Sequence, residues 1–117
     1  ARATLRELPG PWIAGAFEQR DGLHVLRPRL RAAVQFVARD VRQEAPAGPF
    51  QLVLCRNLAL TYFDEPVQRG VLARIARVLE PGGALVVGAH EQLPADAPGF
   101  APWQAGKELP LYRRLAQ

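Results

Sequence analysis

Chemistry in this chain is best sought at Cys55, Arg56 and Asn57, which close an almost unbroken apolar run, Phe50-Gln51-Leu52-Val53-Leu54-Cys55. A charged side chain and an amide leaving the end of a buried strand bring several directed hydrogen-bond donors to one place. Such groups bind a ligand, or they tie the loop to nearby backbone carbonyls. Spacing alone leaves both readings open. Cys55 could act as a nucleophile, but neither His24 nor His90 stands in a motif relation to it. A small buried hydrophobe is the better expectation for that thiol. Two His and one Cys without paired spacing offer no metal site. His90 beside Glu91 could form an acid/base pair, although a loop-end hydrogen bond suits the position better. Gly82-Gly83 follows a helical pattern and precedes an apolar run, the reverse of a phosphate loop, so a tight turn is expected.

The elements that must position these groups are legible between Gly48 and Glu91. Phe50–Cys55 reads as a strand buried on both faces of a parallel sheet. Asp64 can cap a helix whose first turn holds Glu65 and Pro66. Val67, Val71, Leu72, Ile75, Val78 and Leu79 then share one helical face, and Gln68, Arg69 and Arg77 lie away from it. Glu80-Pro81-Gly82-Gly83 stops the helix, and Ala84–Gly88 supplies a second buried strand. Strand, helix and strand of these lengths make a right-handed crossover with both strands parallel. A third strand is expected at Val34–Ala38, entered through an amphipathic turn at Pro28–Ala33. A fourth is expected at Leu109–Leu115, where alternating polarity suggests a sheet edge. Nearer the start, Thr4-Leu5-Arg6-Glu7 has capping-box spacing, and Trp12, Ile13, Ala16 and Phe17 could face one way on a short helix. The fold class is α/β. In an open parallel sheet, ligands bind beyond the carboxyl ends of the strands, which points to Asp40, to Cys55-Arg56-Asn57 and to His90-Glu91.

Composition narrows the function classes. With 117 residues and 49% hydrophobic content the chain has the size of one domain and is no disordered segment. The single Cys55 excludes an intramolecular disulfide and fits a reducing, cytoplasmic setting. No apolar run approaches the ~18 residues of a membrane span, and no secretory h-region opens the chain. The formal charge is +4, and all but one of the 15 basic residues are Arg. Those arginines are scattered among acids, with no interleaved aromatic residues to stack bases, so nucleic acid is not expected as a partner.

Several segments together resemble the CheR-type methyltransferases. They are Gly48-Pro49-Phe50-Gln51-Leu52-Val53-Leu54-Cys55-Arg56-Asn57, Tyr62-Phe63-Asp64, Leu79-Glu80-Pro81-Gly82-Gly83 and Gly88-Ala89-His90-Glu91. Upstream, Leu5–Pro9 and Arg29–Phe36 continue the likeness. The resemblance implies the C-terminal half of a class I, Rossmann-like methyltransferase sheet, mostly parallel with an antiparallel edge strand. It implies methyl transfer from S-adenosylmethionine to protein glutamate side chains, with a bacterial chemoreceptor as possible substrate. It implies that Asp40 and Val41 border the cofactor's adenine and that Cys55, Arg56 and Asn57 touch the cofactor at the strand end. Arg56 and Tyr62 are the implied catalytic residues. The spacing differs from the family's in one place: Leu58-Ala59-Leu60-Thr61 puts one extra residue before Tyr62. Ala89 and His90 stand where the family has His and Ser.

A class I methyltransferase also needs a Gly-rich loop after its first strand and an acidic residue at the end of its second. No Gly-x-Gly occurs in these residues, so residues 1–117 are expected to form part of a catalytic domain and to bind S-adenosylmethionine weakly alone. A half-sheet would expose a strand edge, which favours dimerisation or strand exchange. Two other readings remain: a non-catalytic methyltransferase-like module for an acidic partner, and a small-molecule methyltransferase.

Overall fold

The computed structural model describes residues 5–94, 97–103 and 109–116. The chain forms two compact units, residues 1–37 and 38–117.

The first unit holds helix α1 (Gly10–Ala16), strands β1 (Phe17–Arg20) and β2 (Leu23–Leu26), and the single-turn helix α2 (Pro28–Arg31). The helix expected around Trp12 to Phe17 is α1, and the turn expected at Pro28–Ala33 is α2. The capping box begins at Thr4, outside the described residues. Strands β1 and β2 pair antiparallel from Phe17↔Leu26 to Arg20↔Leu23. Asp21 and Gly22 both have positive φ, 52° and 77°, which is the conformation of a two-residue hairpin turn. The Asp-Gly pair is the sequence signal for that hairpin, and the sequence reading overlooked it.

In the second unit, strand β3 (Phe50–Leu54) leads through the one-turn helix α3 (Ala59–Tyr62) into helix α4 (Glu65–Val78). Asp64 caps α4 by accepting from the Val67 backbone N–H at 3.2 Å, with Pro66 in the first turn, as expected. Its buried face is Val71, Leu72 and Ile75. Strand β4 (Leu79–Val86) returns parallel to β3, with Leu52 opposite Ala84 and Leu54 opposite Val86. Phe50 pairs with Leu79 but Leu52 with Ala84, so Glu80–Gly83 bulges out of the ladder. Gly82, at φ 82°, makes the expected turn inside that bulge. Strands β5 (Phe100–Pro102) and β6 (Leu111–Arg114) complete a sheet of order β3-β4-β6-β5. The core is Val71, Leu72 and Ile75 against Leu79, Leu85 and Val87, joined by Ala59 and Phe100.

The structure corrects four expectations. The sheet is mixed, because only β3 and β4 pair in parallel while β4–β6 and β6–β5 are antiparallel. The strand at Leu111–Arg114 lies inside the sheet, since the three-residue β5 covers its outer edge. Phe50–Leu54 is itself the edge strand, and the face that carries Leu52 and Leu54 is left uncovered among the described residues, so they are 56% and 65% exposed instead of buried on both faces. No strand forms over 34–38, and Val34, Phe36 and Val37 are exposed. A strand persists only with a hydrogen-bonded neighbour, and that segment pairs with none among the described residues.

This division of roles has a measurable consequence. Leu85→Ala, at a fully buried position, lowers the unfolding free energy by about 3 kcal/mol in urea titrations, whereas exposed Leu52→Ala changes it by less than ~0.5 kcal/mol.

Candidate functional site

The ladder between β3 and β4 runs on as far as Cys55, whose backbone N–H donates to the Val86 carbonyl at 2.9 Å. Beyond Cys55 the chain leaves the sheet. Asn57 takes a left-handed backbone conformation, φ 57°, which Asn tolerates better than most residues. The turn thus made brings residues 57–61 over the end of β4.

There the chain buries Glu91, 8% exposed. Its Oε1 accepts from the backbone N–H of Asn57 at 2.9 Å and of Gly88 at 2.5 Å. Its Oε2 accepts from the Thr61 hydroxyl at 2.6 Å. A Cβ on Gly88 would collide with the Asn57 side chain and come within 2.7 Å of Glu91 Oε1, so the segment after β4 approaches only because residue 88 is glycine. Burial pushes the Glu91 carboxyl up, but hydrogen bonds from Thr61 and the backbone of Asn57, Gly88 and Leu58 outweigh it and hold the group below its ordinary value. Glu91 therefore has the loop-end hydrogen bonds expected for it, and His90 beside it is exposed. What the sequence did not reveal is the depth of that burial and the link to Thr61, 30 positions away.

Along the free edge of β3 lies an open groove of about 440 Å³. Val41, Cys55 and Arg56 line it, together with Leu52, Leu54 and Ile75. Of the six residues singled out from the sequence, the groove thus collects three. Burial, with a smaller contribution from the Glu91 charge, pushes the Cys55 thiol up against an opposing Ala59 N–H bond, so at neutral pH it is protonated. Arg56 is exposed and makes no hydrogen bond or ion pair among the described residues. Asp40 is committed elsewhere: its carboxylate accepts from Arg42 Nε at 3.0 Å and from the terminal guanidinium nitrogen at 2.8 Å. That side-chain bond holds the Asp40 carboxyl below its usual range and raises Arg42. Asn57 belongs to the Glu91 cluster, and Tyr62, 75% exposed, ends α3 outside the groove lining. A wider depression of about 580 Å³ lies in residues 1–37, lined by Arg6, Ile13, Phe17 and His24 among others, and includes none of the six. Among the described residues no cluster of His, Cys, Asp or Glu could hold a metal ion, and no helix is long and apolar enough to cross a membrane.

A parallel strand–helix–strand unit with a groove running along its first strand and past its carboxyl end to Arg56 defines a domain of the α/β class. Residues 1–107 match the model of the CheR methyltransferase SAM-binding domain, and the chain belongs to that family. It is 41% identical over 73 residues to chemotaxis protein methyltransferase 1 of Pseudomonas aeruginosa, covering 62% of this chain and 26% of the relative. The chemotaxis protein methyltransferase of Escherichia coli is 34% identical over 73 residues, covering 61% and 25%. The probable biofilm formation methyltransferase WspC of Pseudomonas putida is 38% identical over 78 residues, covering 64% and 18%. The chain spans about a quarter or less of the length of these relatives.

S-adenosylmethionine is the cofactor of that family's domain. The groove suits part of it: a mostly apolar lining of Val41, Leu52, Leu54 and Ile75 matches the face of a purine, and its volume lies in the range of small-molecule sites. No acidic side chain is among the described residues that line it, so the groove offers no carboxylate to the ribose hydroxyls, and the part of the molecule its lining suits is the adenine.

The depressed Glu91 carboxyl contributes to the acid behaviour of the second unit, alongside that of Asp40. Folding favours its ionised form, so it adds stability above its ordinary value of 4.5, and this is lost as the pH falls through the lower folded value. Urea midpoints should therefore drop between pH 6 and about pH 3, and the drop should be shallower in Glu91→Gln.

Proposed function

We propose that this chain serves a CheR-type methyltransferase that moves a methyl group from S-adenosylmethionine to a glutamate carboxylate of a protein substrate. Residues 1–117 supply one portion of the catalytic domain. The observation that carries the reading is the groove at the end of β3, which gathers Val41, Cys55 and Arg56 in a chain of that family. The relatives' name, chemotaxis protein methyltransferase, supports a chemoreceptor as the substrate. The unpaired Cys55 agrees with a reducing, cytoplasmic setting.

The chemistry asks little of the protein in acid or base. A glutamate carboxylate, with a pKa of about 4.3, is ionised at neutral pH and needs no general base. Bound S-adenosylmethionine supplies an electrophilic methyl on a cationic sulfur that leaves neutral. The chain's own residues bind, align and exclude water. Val41 and the leucines of β3 offer an apolar wall. The Cys55 thiol, kept neutral, adds no competing anion beside the reacting carboxylate. Arg56, with no partner of its own among the described residues, has its donors free to orient a carboxylate at the groove. Asp40 borders the adenine through the backbone it anchors with Arg42, and Asn57 closes the strand end. Tyr62, exposed at the end of α3, is left available to a substrate rather than to the groove.

Arg56→Ala in the full chain should cut methyl transfer at least tenfold, about the worth of one charge-assisted hydrogen bond, with unchanged circular dichroism and melting temperature. An unaltered rate removes Arg56 from the site.

The free edge of β3, with Leu52 and Leu54 exposed beside it, also supports self-association of the 117-residue chain by itself. Light scattering at rising concentration should show a dimer; a monomer throughout contradicts it.

A further inference from the structure

Glu91, 8% exposed, is the one polar or charged residue among the described residues that is buried. Withdrawing a carboxylate from water is costly unless donors replace the water. Here the donors come from two separate segments, Asn57 and Thr61 after β3 and Gly88 after β4. No Lys, Arg or His pairs with it among the described residues, so its partners are neutral and directional. The cluster lies outside the groove, yet it touches the chain one residue beyond Arg56.

That position matters because nothing else holds Arg56. Its side chain has no partner of its own among the described residues, so its placement depends on the backbone on either side. On one side Cys55 is fixed by the ladder bond to Val86. On the other, Asn57 is fixed at positive φ by its N–H bond to Glu91. We propose that Glu91 is a positioning residue for methyl transfer: its buried carboxylate locks the turn at residues 55–61 so that Arg56 and Cys55 face the groove. The inference rests on the proposed methyl-transfer reading for its kinetic part, and its geometric part stands apart from that reading.

Cys55 provides a local reporter, being the single cysteine of the chain and half-buried at the start of the turn. The test compares Glu91→Gln and Thr61→Val with the unaltered full chain. Alkylation of Cys55 by iodoacetamide, followed by mass spectrometry of its peptide, is measured beside thermal unfolding and the KM and kcat for S-adenosylmethionine. Glu91→Gln weakens the acceptor that fixes Asn57; Thr61→Val removes one donor and leaves the Glu91 charge in place. Both variants should alkylate faster, several-fold for Glu91→Gln and about twofold for Thr61→Val, at melting temperatures that keep them folded. The donor KM should rise about tenfold in Glu91→Gln with kcat changed less. At saturating donor the turnover of Glu91→Gln should approach that of the unaltered chain, because the groups that touch the donor are intact. Unchanged alkylation and unchanged KM in Thr61→Val and Glu91→Gln overturn the proposal. Faster alkylation confined to Glu91→Gln also overturns it, since lost charge beside the thiol then explains the effect. Should Glu91→Gln fail to fold, Thr61→Val decides alone. An unaltered chain without methyl transfer defeats the functional reading, while the alkylation rates still decide whether Glu91 locks the turn.

Discussion

The second unit depends on the burial of α4 against the parallel pair β3–β4. Two parallel strands cannot be joined by a tight turn, so the chain needs a crossover element, and that element must cover the sheet it spans. Val71, Leu72 and Ile75 do so, meeting Leu79, Leu85 and Val87 in a core with almost no exposed surface. Everything chemically interesting hangs from the ends of those strands. The left-handed Asn57, the close approach at Gly88 and the groove beside Leu54 exist because the two carboxyl ends are held side by side.

Around this frame most of the charges beside the groove are committed, and Arg56 at its lining is not. Asp40 is taken up by Arg42, Glu65 by Arg69, and Glu44 by Arg39. Arg114 donates to the Leu79 carbonyl and Arg74 to the Gln43 carbonyl at 2.9 Å. Glu91 is satisfied by neutral donors. Arg56 alone combines a place in the groove with no partner among the described residues, and most of the electrostatic case for the site follows from that contrast.

Much of this was legible in the residues, and the limits have physical causes. Helix α4 announced itself through Asp64, Pro66 and a regular apolar stripe, all of them local signals. The apolar run at β3 was recognised as a strand, but hydrophobicity reports what a strand would like covered, not what covers it, so the exposure of Leu52 and Leu54 was invisible. β5 is three residues ending in Pro, too short to carry periodicity, and missing it turned β6 into an edge. The strand-end rule pointed to Cys55 and Arg56, which line the groove. It missed the weight of Glu91, whose partners lie 30 and 34 positions away, and it could not see Asp40 claimed by Arg42 two residues on.

The two sides of the sheet are chemically unequal. On the far side β5 ends at Pro102, whose nitrogen carries no hydrogen, over a span too short to template another strand. On the near side the outer edge of the five-residue β3 is unpaired among the described residues, beside the exposed Leu52 and Leu54. A second copy that pairs β3 against β3 therefore closes both free edges at once, and among the described residues the β5 side offers this sheet no comparable margin. An assembly built on this sheet is capped rather than propagating, and that asymmetry separates a finite complex from a fibre.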